Sequence, residues 1–345
     1  MPSDRTAPRL PRVVLTNATF AETRAMFDGV AELAANDRPE PWPGGVLLDR
    51  CRDADAVMAF MTDRIDDAFL AQCPRLRVIG AALKGFDNID VDAATARGVW
   101  VTICDDLLTI PTAELAVGLT ISVARNIRQG DREIRANGFA GWRPTLYGTG
   151  LAGASVGIAG FGKVGQAIAE RLAGFGCRIA AFDTDTAPFP ERFSSLVGRA
   201  SLDRVLTGSD YVVLALPLTP ETLHIVDAAA LATMKPGAIL VNPARGSLVD
   251  EAAVADALQS GHLAAYAADV FECEDWARTD RPRSVEPRLT APDAPTVLTP
   301  HIGSAVREVR MRIEAEAAAN ILDVLQGRAP RGAINDPRSG LRRPA

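Results

Sequence analysis

The sequence predicts an α/β protein in which a doubly wound, parallel-sheet domain is joined to a smaller α/β domain. Short apolar runs alternate with amphipathic, helix-like segments through most of the 345 residues, which is the pattern of strands and helices around parallel sheets. A glycine-rich loop, GFGKVG at residues 160–165, stands between one such run and one such segment, as it does in domains that bind dinucleotides. With roughly 150 residues per domain as a guide, the length predicts about two domains.

The overall composition argues against several functional classes. A net charge of −6 disfavours a nucleic-acid-binding surface, which needs excess Lys and Arg to bind phosphates. No apolar run approaches the roughly 18 residues of a membrane span, and the first twelve residues, MPSDRTAPRLPR, lack the apolar core of a secretory signal. The five cysteines have neither CxxC nor metal-ligand spacing. We therefore predict free thiols, a cytoplasmic location, no metal site, and neither nucleic acid nor membrane as a partner.

The N-terminal part of the chain has the pattern of a small βα domain. Its apolar runs include Val13–Leu15, Ala56–Phe60 and Val78–Ala82. Each run is short enough for a buried strand. The segment Asp66–Gln72 between two of them is amphipathic and predicts a helix.

A long helix and a larger alternating region follow. Apolar residues at helical spacing predict one connecting helix over Thr112–Gly138, with Pro111 as a typical start signal. Strand-like and helix-like runs then alternate from residue 154 to 299, and a further helix over Ala305–Gln326 is predicted to pack back on the first domain. These patterns predict a discontinuous substrate domain over residues 1–108 and 302–335, a cofactor domain over residues 109–301, and a loose tail over residues 336–345.

The glycine-rich loop is the first candidate site. It follows the strand-like run Ser155–Ala159 and opens the helix-like segment Val164–Ala173, so its backbone amides can bind a pyrophosphate at a helix N-terminus. Asp183 comes at the end of the next predicted strand, Arg178–Phe182, where a carboxylate accepts hydrogen bonds from ribose hydroxyls. Because a 2′-phosphate would meet a like charge there, Asp183 favours NAD over NADP. The alternative is a structural βα turn without a cofactor.

Three chemically reactive side chains follow later apolar runs. Arg245, Glu274 and His301 each come shortly after such a run, and ligands of open α/β sheets bind beyond the carboxyl ends of the strands. We therefore expect a cation, an acid and an imidazole to converge on one crevice. An imidazole titrates near neutral pH and can act as a general base, with Glu274 orienting the ring; the alternative is a buried structural histidine. His224 and His262 are interpreted as surface groups.

The chain resembles the D-isomer-specific 2-hydroxyacid dehydrogenases. The motifs that carry the resemblance are GFGKVG at 160–165, NPARGSLVD at 242–250, DVFECE at 269–274 and TPHIGS at 299–304. The resemblance covers residues 51–335 and implies a Rossmann cofactor domain, a flavodoxin-like substrate domain, NAD as cofactor and a homodimer. Longer strings are most similar to the phosphonate (phosphite) dehydrogenase branch of that family: MAFM at 58–61, ALKGFDN at 82–88, DLLTIPTAEL at 106–115, YGTGL at 147–151 and EDWAR at 274–278.

This resemblance implies NAD-linked oxidation of phosphite to phosphate, with water as the nucleophile and Arg245, Glu274 and His301 as catalytic residues. His301 is predicted to be the base, and the alternative is that Arg245 polarises the water. It also implies that Lys84 binds the substrate, in a loop where hydroxyacid dehydrogenases usually present small residues. The further residues implied around the substrate are Met61, Trp142, Tyr147, Ser304 and Arg310. The residues implied at the cofactor are Thr112, Gly160, Gly162, Lys163, Val164, Gly165, Asp183, Leu216, Pro217, Ala244, Asp269, His301 and Gly303, with Asp269 bonding the nicotinamide carboxamide.

Two other functions stay open. A dehydrogenase for a small 2-hydroxy or 2-keto carboxylate would use the same Arg245, Glu274 and His301. Lys84, which adds a second cation, and the Trp142–Tyr147 stretch favour phosphite. A non-enzymatic, NAD-sensing regulator on the same fold is the third possibility. The intact pair of acid and imidazole argues against it.

Overall fold

The structure, a computed structural model, describes residues 9–104, 106–275, 278–339 and 341–342. The chain divides into two compact units. Unit 1 comprises residues 1–107 and 306–345, and unit 2 comprises residues 108–305. Residues 1–8, which belong to the segment in which no secretory signal is predicted, and residues 343–345 of the predicted loose tail lie outside the described residues.

The strands are β1 (Arg12–Leu15), β2 (Glu32–Ala35), β3 (Ala56–Ala59), β4 (Val78–Ala81), β5 (Trp100–Thr102), β6 (Ser155–Ala159), β7 (Arg178–Phe182), β8 (Val197–Arg199), β9 (Tyr211–Leu214), β10 (Ala238–Asn242), β11 (Leu263–Ala268), β12 (Thr296–Leu298), β13 (Asn335–Asp336) and β14 (Leu341–Arg342). The α-helices are α1 (Ala21–Ala25), α2 (Gly44–Cys51), α3 (Asp67–Ala71), α4 (Val91–Ala96), α5 (Thr109–Ala124), α6 (Ile127–Asn137), α7 (Lys163–Leu172), α8 (Leu202–Gly208), α9 (Ala228–Thr233), α10 (Glu251–Gln259), α11 (Pro287–Thr290) and α12 (Arg307–Leu325).

Unit 1 is built on a parallel sheet whose described strands have the order β2-β1-β3-β4-β5. Every residue of β3 and β4 is buried, as expected for a parallel sheet covered by helices on both faces. One of these helices is α12, which packs so closely on β4 that a Cβ added to Gly80 would lie 2.5 Å from the side chain of Ile321. The strand order reverses between β1 and β3, so the crevice beyond their carboxyl ends is the expected ligand site.

Unit 2 is built on a larger parallel sheet with the described order β12-β11-β10-β9-β6-β7-β8. This is the order of a dinucleotide-binding fold, with the reversal between β6 and β9. Strands β6 and β7 have the predicted bounds. The two parallel sheets with their helices confirm the predicted fold class, because each sheet has the strand order of a doubly wound fold.

The single helix predicted over residues 112–138 is wrong, because two helices occupy that segment. α5 ends at Ala124 and α6 begins at Ile127. Between them Asn126 has φ = 51°, and an L residue in the left-handed region cannot continue a right-handed helix. The chain therefore turns at Asn126.

Helix α5 is a long, apolar helix of unit 2. The segment Asp106–Ala124 is long and apolar enough, by length and composition alone, to cross a membrane. Buried core helices pass the same test, and Ala116, Leu119 and Val123 of α5 lie in the hydrophobic core of unit 2. The apolar character of α5 is thus accounted for by packing on the sheet.

The predicted loose tail is wrong for the part of the tail that the structure describes. β13 pairs with β14 in antiparallel register, with Asn335 opposite Arg342. The buried side chain of Asn335 accepts a hydrogen bond from the Val101 amide at 2.8 Å and donates to the Val99 carbonyl at 2.9 Å. These bonds attach the residue directly before the predicted tail to β5 and to Val99, and Asp336 of the tail pairs with Leu341.

Candidate active site

The glycine-rich loop lies where the strand order of unit 2 reverses. Gly160 follows β6, and α7 begins directly after Gly162. A Cβ on Gly160 would lie 2.4 Å from the carbonyl oxygen of Ala215, beyond β9, and a Cβ on Gly165 would lie 2.1 Å from the Gly160 carbonyl oxygen. Gly160 also has φ = 102°, which residues with a Cβ rarely adopt. Glycine therefore permits this close packing, and the exposed Gly162 leaves the amino end of α7 accessible to a phosphate.

Asp183 directly follows β7 and is fixed against the glycine loop. Its Oδ2 accepts a hydrogen bond from the Phe161 amide at 2.6 Å, and its Oδ1 accepts one from the Asp185 amide at 3.0 Å. Lys163 and Val164 form the first turn of α7 beside it. A glycine cradle at a helix N-terminus with a carboxylate after the next strand fits the pyrophosphate and ribose of a dinucleotide.

Other residues predicted at the cofactor lie along the same edge of unit 2. Leu216 is buried and Pro217 is exposed, and both follow β9. A Cβ on Gly303 would lie 3.3 Å from Thr112 Oγ1 and 3.2 Å from Asp269 Oδ2. Helix α5 and the loops beyond β11 and β12 therefore meet at Gly303.

Arg245 lies three residues beyond β10, and its loop is held by neighbouring groups. Asn242 accepts a hydrogen bond from the Ala244 amide at 3.1 Å and donates to the Arg245 carbonyl at 2.9 Å. Arg245 Nη1 donates to the Ala244 carbonyl at 2.9 Å. A Cβ on Gly246 would lie 1.9 Å from the carbonyl carbon of Phe271. The Arg245 loop therefore packs directly on the loop beyond β11, which carries the predicted catalytic acid.

Glu274 and His301 are in direct contact. His301 Nδ1 lies 2.8 Å from Glu274 Oε2, and Glu274 Oε1 accepts a hydrogen bond from the Phe271 amide at 2.8 Å. The two side chains are 26% and 27% exposed. The carboxylate holds the ring through Nδ1, so Nε2 is the ring atom that can exchange a proton with a bound molecule.

Asp269 holds the loop that carries His301. Its Oδ1 accepts hydrogen bonds from Thr299 Oγ1 at 2.5 Å and the Ile302 amide at 2.8 Å, and its Oδ2 accepts one from the Gly303 amide at 2.7 Å. His301 has φ = 54°, a left-handed conformation that costs a non-glycine residue about 1–2 kcal/mol. Asp269 is 1% exposed, and burial raises the pKa of its carboxyl group. The contact between Asp269 and the nicotinamide stays a prediction, and the observed contacts of Asp269 position the His301 loop.

The three predicted catalytic side chains lie beyond adjacent strands of one sheet. β10, β11 and β12 are neighbours, and Arg245, Glu274 and His301 follow them in that order. Ser304, predicted at the substrate, is partly buried beside Gly303. This edge of unit 2 therefore combines a cation, a held imidazole and a dinucleotide cradle.

Unit 1 carries three of the predicted substrate residues, Lys84, Arg310 and Met61. Lys84 lies beyond β4 with its side chain 38% exposed, and its Nζ is 3.7 Å from Asp106 Oδ1. Arg310 of α12 donates from Nη1 to the Ala82 carbonyl at 3.3 Å, and burial lowers the pKa of its guanidinium. Met61 is partly buried in the loop beyond β3. Arg310 thus contacts the backbone two residues before Lys84.

Trp142 and Tyr147 are largely exposed, in contrast to the enclosed position predicted for substrate residues. Their exposed fractions are 82% and 78%. They lie in a segment, residues 138–150, with neither helix nor strand among its described residues. Phe139, 79% exposed, belongs to the same segment. In the single chain these rings do not enclose a site.

Sequence reasoning missed a polar network next to the candidate site. His224, interpreted as a surface group, is partly buried with φ = 50°, and its Nε2 lies 2.5 Å from Glu272 Oε1. Arg278 donates to the same oxygen at 2.8 Å. His262 is also partly buried, with Nε2 2.9 Å from the Leu231 carbonyl. Both histidines therefore lie partly exposed at the surface, and both are hydrogen-bonded there. The available sequence signal was Glu272, the first of the two acids in FECE at residues 271–274.

Comparisons with known proteins agree on one protein family. A sequence model described as "D-isomer specific 2-hydroxyacid dehydrogenase, NAD binding domain" matches residues 117–303. The glyoxylate reductase of Thermococcus litoralis is 35% identical over 332 residues, which cover 94% of this chain and 97% of that protein.

Solved structures with the same fold include the TT0316 protein of Thermus thermophilus. It has a TM-score of 0.84 and 35% identity, and the match covers 94% of this chain and 99% of that chain. An NADPH-dependent glyoxylate/hydroxypyruvate reductase of Sinorhizobium meliloti, solved in complex with NADP and malonate, has a TM-score of 0.81 and 26% identity. That match covers 97% of this chain and 99% of the other.

Proposed function

We propose, from the premise that this chain belongs to the D-isomer-specific 2-hydroxyacid dehydrogenase family, that its NAD-dependent reaction is the oxidation of phosphite to phosphate. The observation that carries dehydrogenase chemistry is the 2.8 Å contact between His301 Nδ1 and Glu274 Oε2, in the unit that holds the glycine loop. Lys84 favours phosphite, because the hydroxyacid dehydrogenases that the sequence resembles usually have small residues in that loop.

The charge of the substrate supports this choice. Phosphite is a compact oxyanion with up to two negative charges, whereas a small hydroxy acid has one. Arg245 offers a planar fork of donors for paired oxygens, and Lys84 offers a compact point charge. Two cations therefore match phosphite better than they match a monocarboxylate.

In the proposed reaction, water adds to phosphorus as the P–H bond breaks. NAD, when bound, supplies the nicotinamide ring that accepts the hydride. His301 takes the proton that the attacking water loses, and Glu274 stabilises the resulting imidazolium. Arg245 binds the oxyanion and holds it in place. Phosphite, water and NAD⁺ thus give phosphate, NADH and one proton.

Reduction of glyoxylate or another small 2-keto acid is the second candidate. It is favoured by the similar relatives, since those from Thermococcus litoralis, Aeropyrum pernix and Pyrococcus furiosus are named glyoxylate reductases. The same side chains serve this reaction, with Arg245 binding the carboxylate and protonated His301 donating a proton to the carbonyl oxygen. Only the charge at Lys84 separates the two candidates chemically.

An absorbance assay for the reduced cofactor tests these candidates. The purified protein is offered NAD with phosphite, D-lactate or D-glycerate, and NADH with glyoxylate. We expect the highest kcat/KM with phosphite. Turnover of the carboxylates but not of phosphite would show that the second candidate, a dehydrogenase for small 2-keto or 2-hydroxy acids, is correct. NAD binding without any turnover would favour a non-enzymatic regulator.

A variant pair tests Lys84 itself. Lys84→Ala removes a charge-assisted contact and should raise the KM for phosphite roughly tenfold or more, with a smaller effect on glyoxylate. The matched control is Arg97→Ala, because Arg97 is similarly exposed, forms an ion pair with Asp67 at 2.5 Å, and precedes β5 at the amino end of the unit 1 sheet. If the KM for phosphite rises equally in both variants, Lys84 does not bind the substrate.

We also propose that the protein is a cytoplasmic homodimer. The five free cysteines support a reducing compartment.

Residues 127–147 expose a group of large apolar side chains, which supports a protein interface: Ile127, Ile134, Phe139, Trp142, Leu146 and Tyr147. Light scattering should give the mass of two chains, and Phe139→Ser should shift it towards one. A monomer at all protein concentrations would contradict the dimer.

A further inference from the structure

A buried ion-pair network lies beside the catalytic turn of unit 2. Glu272 lies two residues before Glu274 on the 3-10 turn Glu272–Glu274, and its side chain is only 9% exposed. Its Oε1 is 2.8 Å from Arg278 Nη1 and 2.5 Å from His224 Nε2. Its backbone amide donates to Glu251 Oε1 at 2.8 Å. Both the backbone and the side chain of Glu272 are therefore anchored.

Arg278 extends this network to the loop that carries Arg245. Its Nη1 donates to Ser247 Oγ at 2.8 Å, and the Ser247 amide donates to Asp275 Oδ2 at 2.7 Å. Ser247 lies two residues after Arg245. One guanidinium thus contacts the turn after Arg245 and the turn that ends at Glu274.

His224 connects the network to a third loop, the one beyond β9. Its backbone amide donates to the Ser247 carbonyl at 2.8 Å. In the same loop, Thr222 Oγ1 donates to the carbonyl of Pro217 at 2.7 Å. The network therefore joins the loops beyond β9, β10 and β11, and the proposed reaction assigns no chemical step to it.

The charges around Glu272 make its carboxylate the centre of the network. Glu251 and Asp275 are each 2% exposed. Burial raises the pKa of Glu251 most, and the carboxylates of Glu272 and Asp275 raise it further. Arg278 faces this acidic group and also lies 3.3 Å from Asp280. Because its side chain is only 15% exposed, it depends on these carboxylates to balance its charge.

We infer that Glu272 is a positioning residue, which acts with Arg278 to hold Glu274 and Arg245 in the geometry that hydride transfer requires. The inference rests on the proposed dehydrogenase function. A 3-10 turn of three residues has few internal hydrogen bonds, so its orientation depends on the anchors at its first residue. If the turn rotates, Glu274 can no longer contact both the Phe271 amide and the His301 ring.

The experiment compares Glu272→Gln and Arg278→Lys with a matched control. Glu272→Gln keeps the shape of the side chain and removes its charge. Arg278→Lys keeps the positive charge and removes the planar guanidinium group with its several donors. The control is Asp210→Asn, because Asp210 also bonds a cation, Lys235 Nζ at 2.8 Å, and a backbone amide, that of Ser155 at 2.8 Å. Asp210 precedes β9, at the opposite, amino end of the sheet, so Asp210→Asn should affect only stability.

Two readouts separate positioning from a merely structural role. The first is the NMR titration of the His301 ring, which is feasible because the chain has three histidines and which needs no substrate. The second is kcat and the pH profile of kcat/KM, with thermal melting as a check on folding. Glu274→Gln serves as the reference for a ring without its carboxylate.

We expect both Glu272→Gln and Arg278→Lys to move the His301 titration midpoint towards that of Glu274→Gln, with kcat reduced roughly 10- to 100-fold in Glu272→Gln. Asp210→Asn should leave the His301 titration and kcat unchanged. The inference would be overturned if Glu272→Gln and Arg278→Lys are folded and His301 titrates in them as it does in the wild type. Absence of turnover in the wild type would instead contradict the proposed function, because the NMR result does not depend on it.

Discussion

Replacement of Asp269 by Asn is the most direct test of how the loop that carries His301 is held. The change preserves the shape of the side chain and replaces one carboxylate oxygen by an NH₂ group. Three donors, the Thr299 hydroxyl and the amides of Ile302 and Gly303, now share the two oxygens of Asp269. In the variant, at least one of these donors must face another donor.

The magnitude follows from these contacts. A hydrogen bond to a charged group contributes about 1.5–3 kcal/mol, and a buried donor left unpaired costs about 1–3 kcal/mol. Loss of the buried charge offsets part of this, because burial raises the pKa of the Asp269 carboxyl group. The remaining cost, about 2–3 kcal/mol, corresponds to roughly a 30- to 150-fold fall in the population of the loop conformation with His301 at positive φ.

The assay measures kcat with the substrate that the wild type turns over and the Kd for NADH by fluorescence. We expect kcat to fall roughly 30-fold or more and the Kd for NADH to change little. Asp227→Asn is the control, because Asp227 caps α9 by accepting from the Ala230 amide at 2.8 Å, a role that Asn performs equally well. A raised Kd for NADH with unchanged kcat would refute the anchoring role and support the nicotinamide contact that the resemblance implies.

Three further predictions follow from individual contacts. Gly246→Ala should abolish most activity, because its Cβ would lie 1.9 Å from the Phe271 carbonyl carbon, whereas Gly208→Ala, in open space, should have no effect on turnover. Glu274→Gln should lower kcat/KM roughly 10- to 100-fold, because the His301 ring loses its carboxylate partner; an unchanged kcat/KM would contradict this pairing. Burial raises the pKa of Asp63 from 3.8 to about 6, so its contribution to stability is full below pH 4 and is lost as the pH rises through 6. Urea unfolding should therefore show that the free energy of unfolding of Asp63→Asn, relative to that of the wild type, rises by on the order of 3 kcal/mol between pH 4 and pH 8. An equal difference at both pH values would exclude Asp63 as the cause of the pH dependence.

The fold was largely readable from the sequence because its signals are local. β6 and β7 are continuous apolar runs bounded by glycine-rich or polar turns, so their ends coincide with the predicted ones. The end of α5 is different. There the Thr149 amide donates to the Ala124 carbonyl at 2.9 Å, and a Cβ on Gly148 would lie 2.1 Å from the same oxygen. That contact joins residues 25 apart in sequence, so helical spacing could not reveal the break at Asn126.

The candidate site was readable only in part for the same reason. Arg245, Glu274 and His301 each follow a strand, and that position alone marks them. The role of Asp269 depends on contacts with residues 30–34 positions later in the chain, and the pairing of His224 with Glu272 spans 48 positions. Such partners are set by the packing of loops on one sheet edge, which no local pattern specifies.

The choice between phosphite and a carboxylate reduces to the charge carried by one loop of unit 1, because Arg245, Glu274 and His301 suit either substrate. The contact between Lys84 and Asp106 is long, at 3.7 Å, and the two side chains are 38% and 58% exposed. Exposed ion pairs of this kind contribute at most about 1 kcal/mol, less than the roughly 1.5–3 kcal/mol of a charge-assisted hydrogen bond to an oxyanion. A doubly charged substrate can therefore compete with Asp106 for the ammonium group, and the substrate preference should disappear when Lys84 loses its charge.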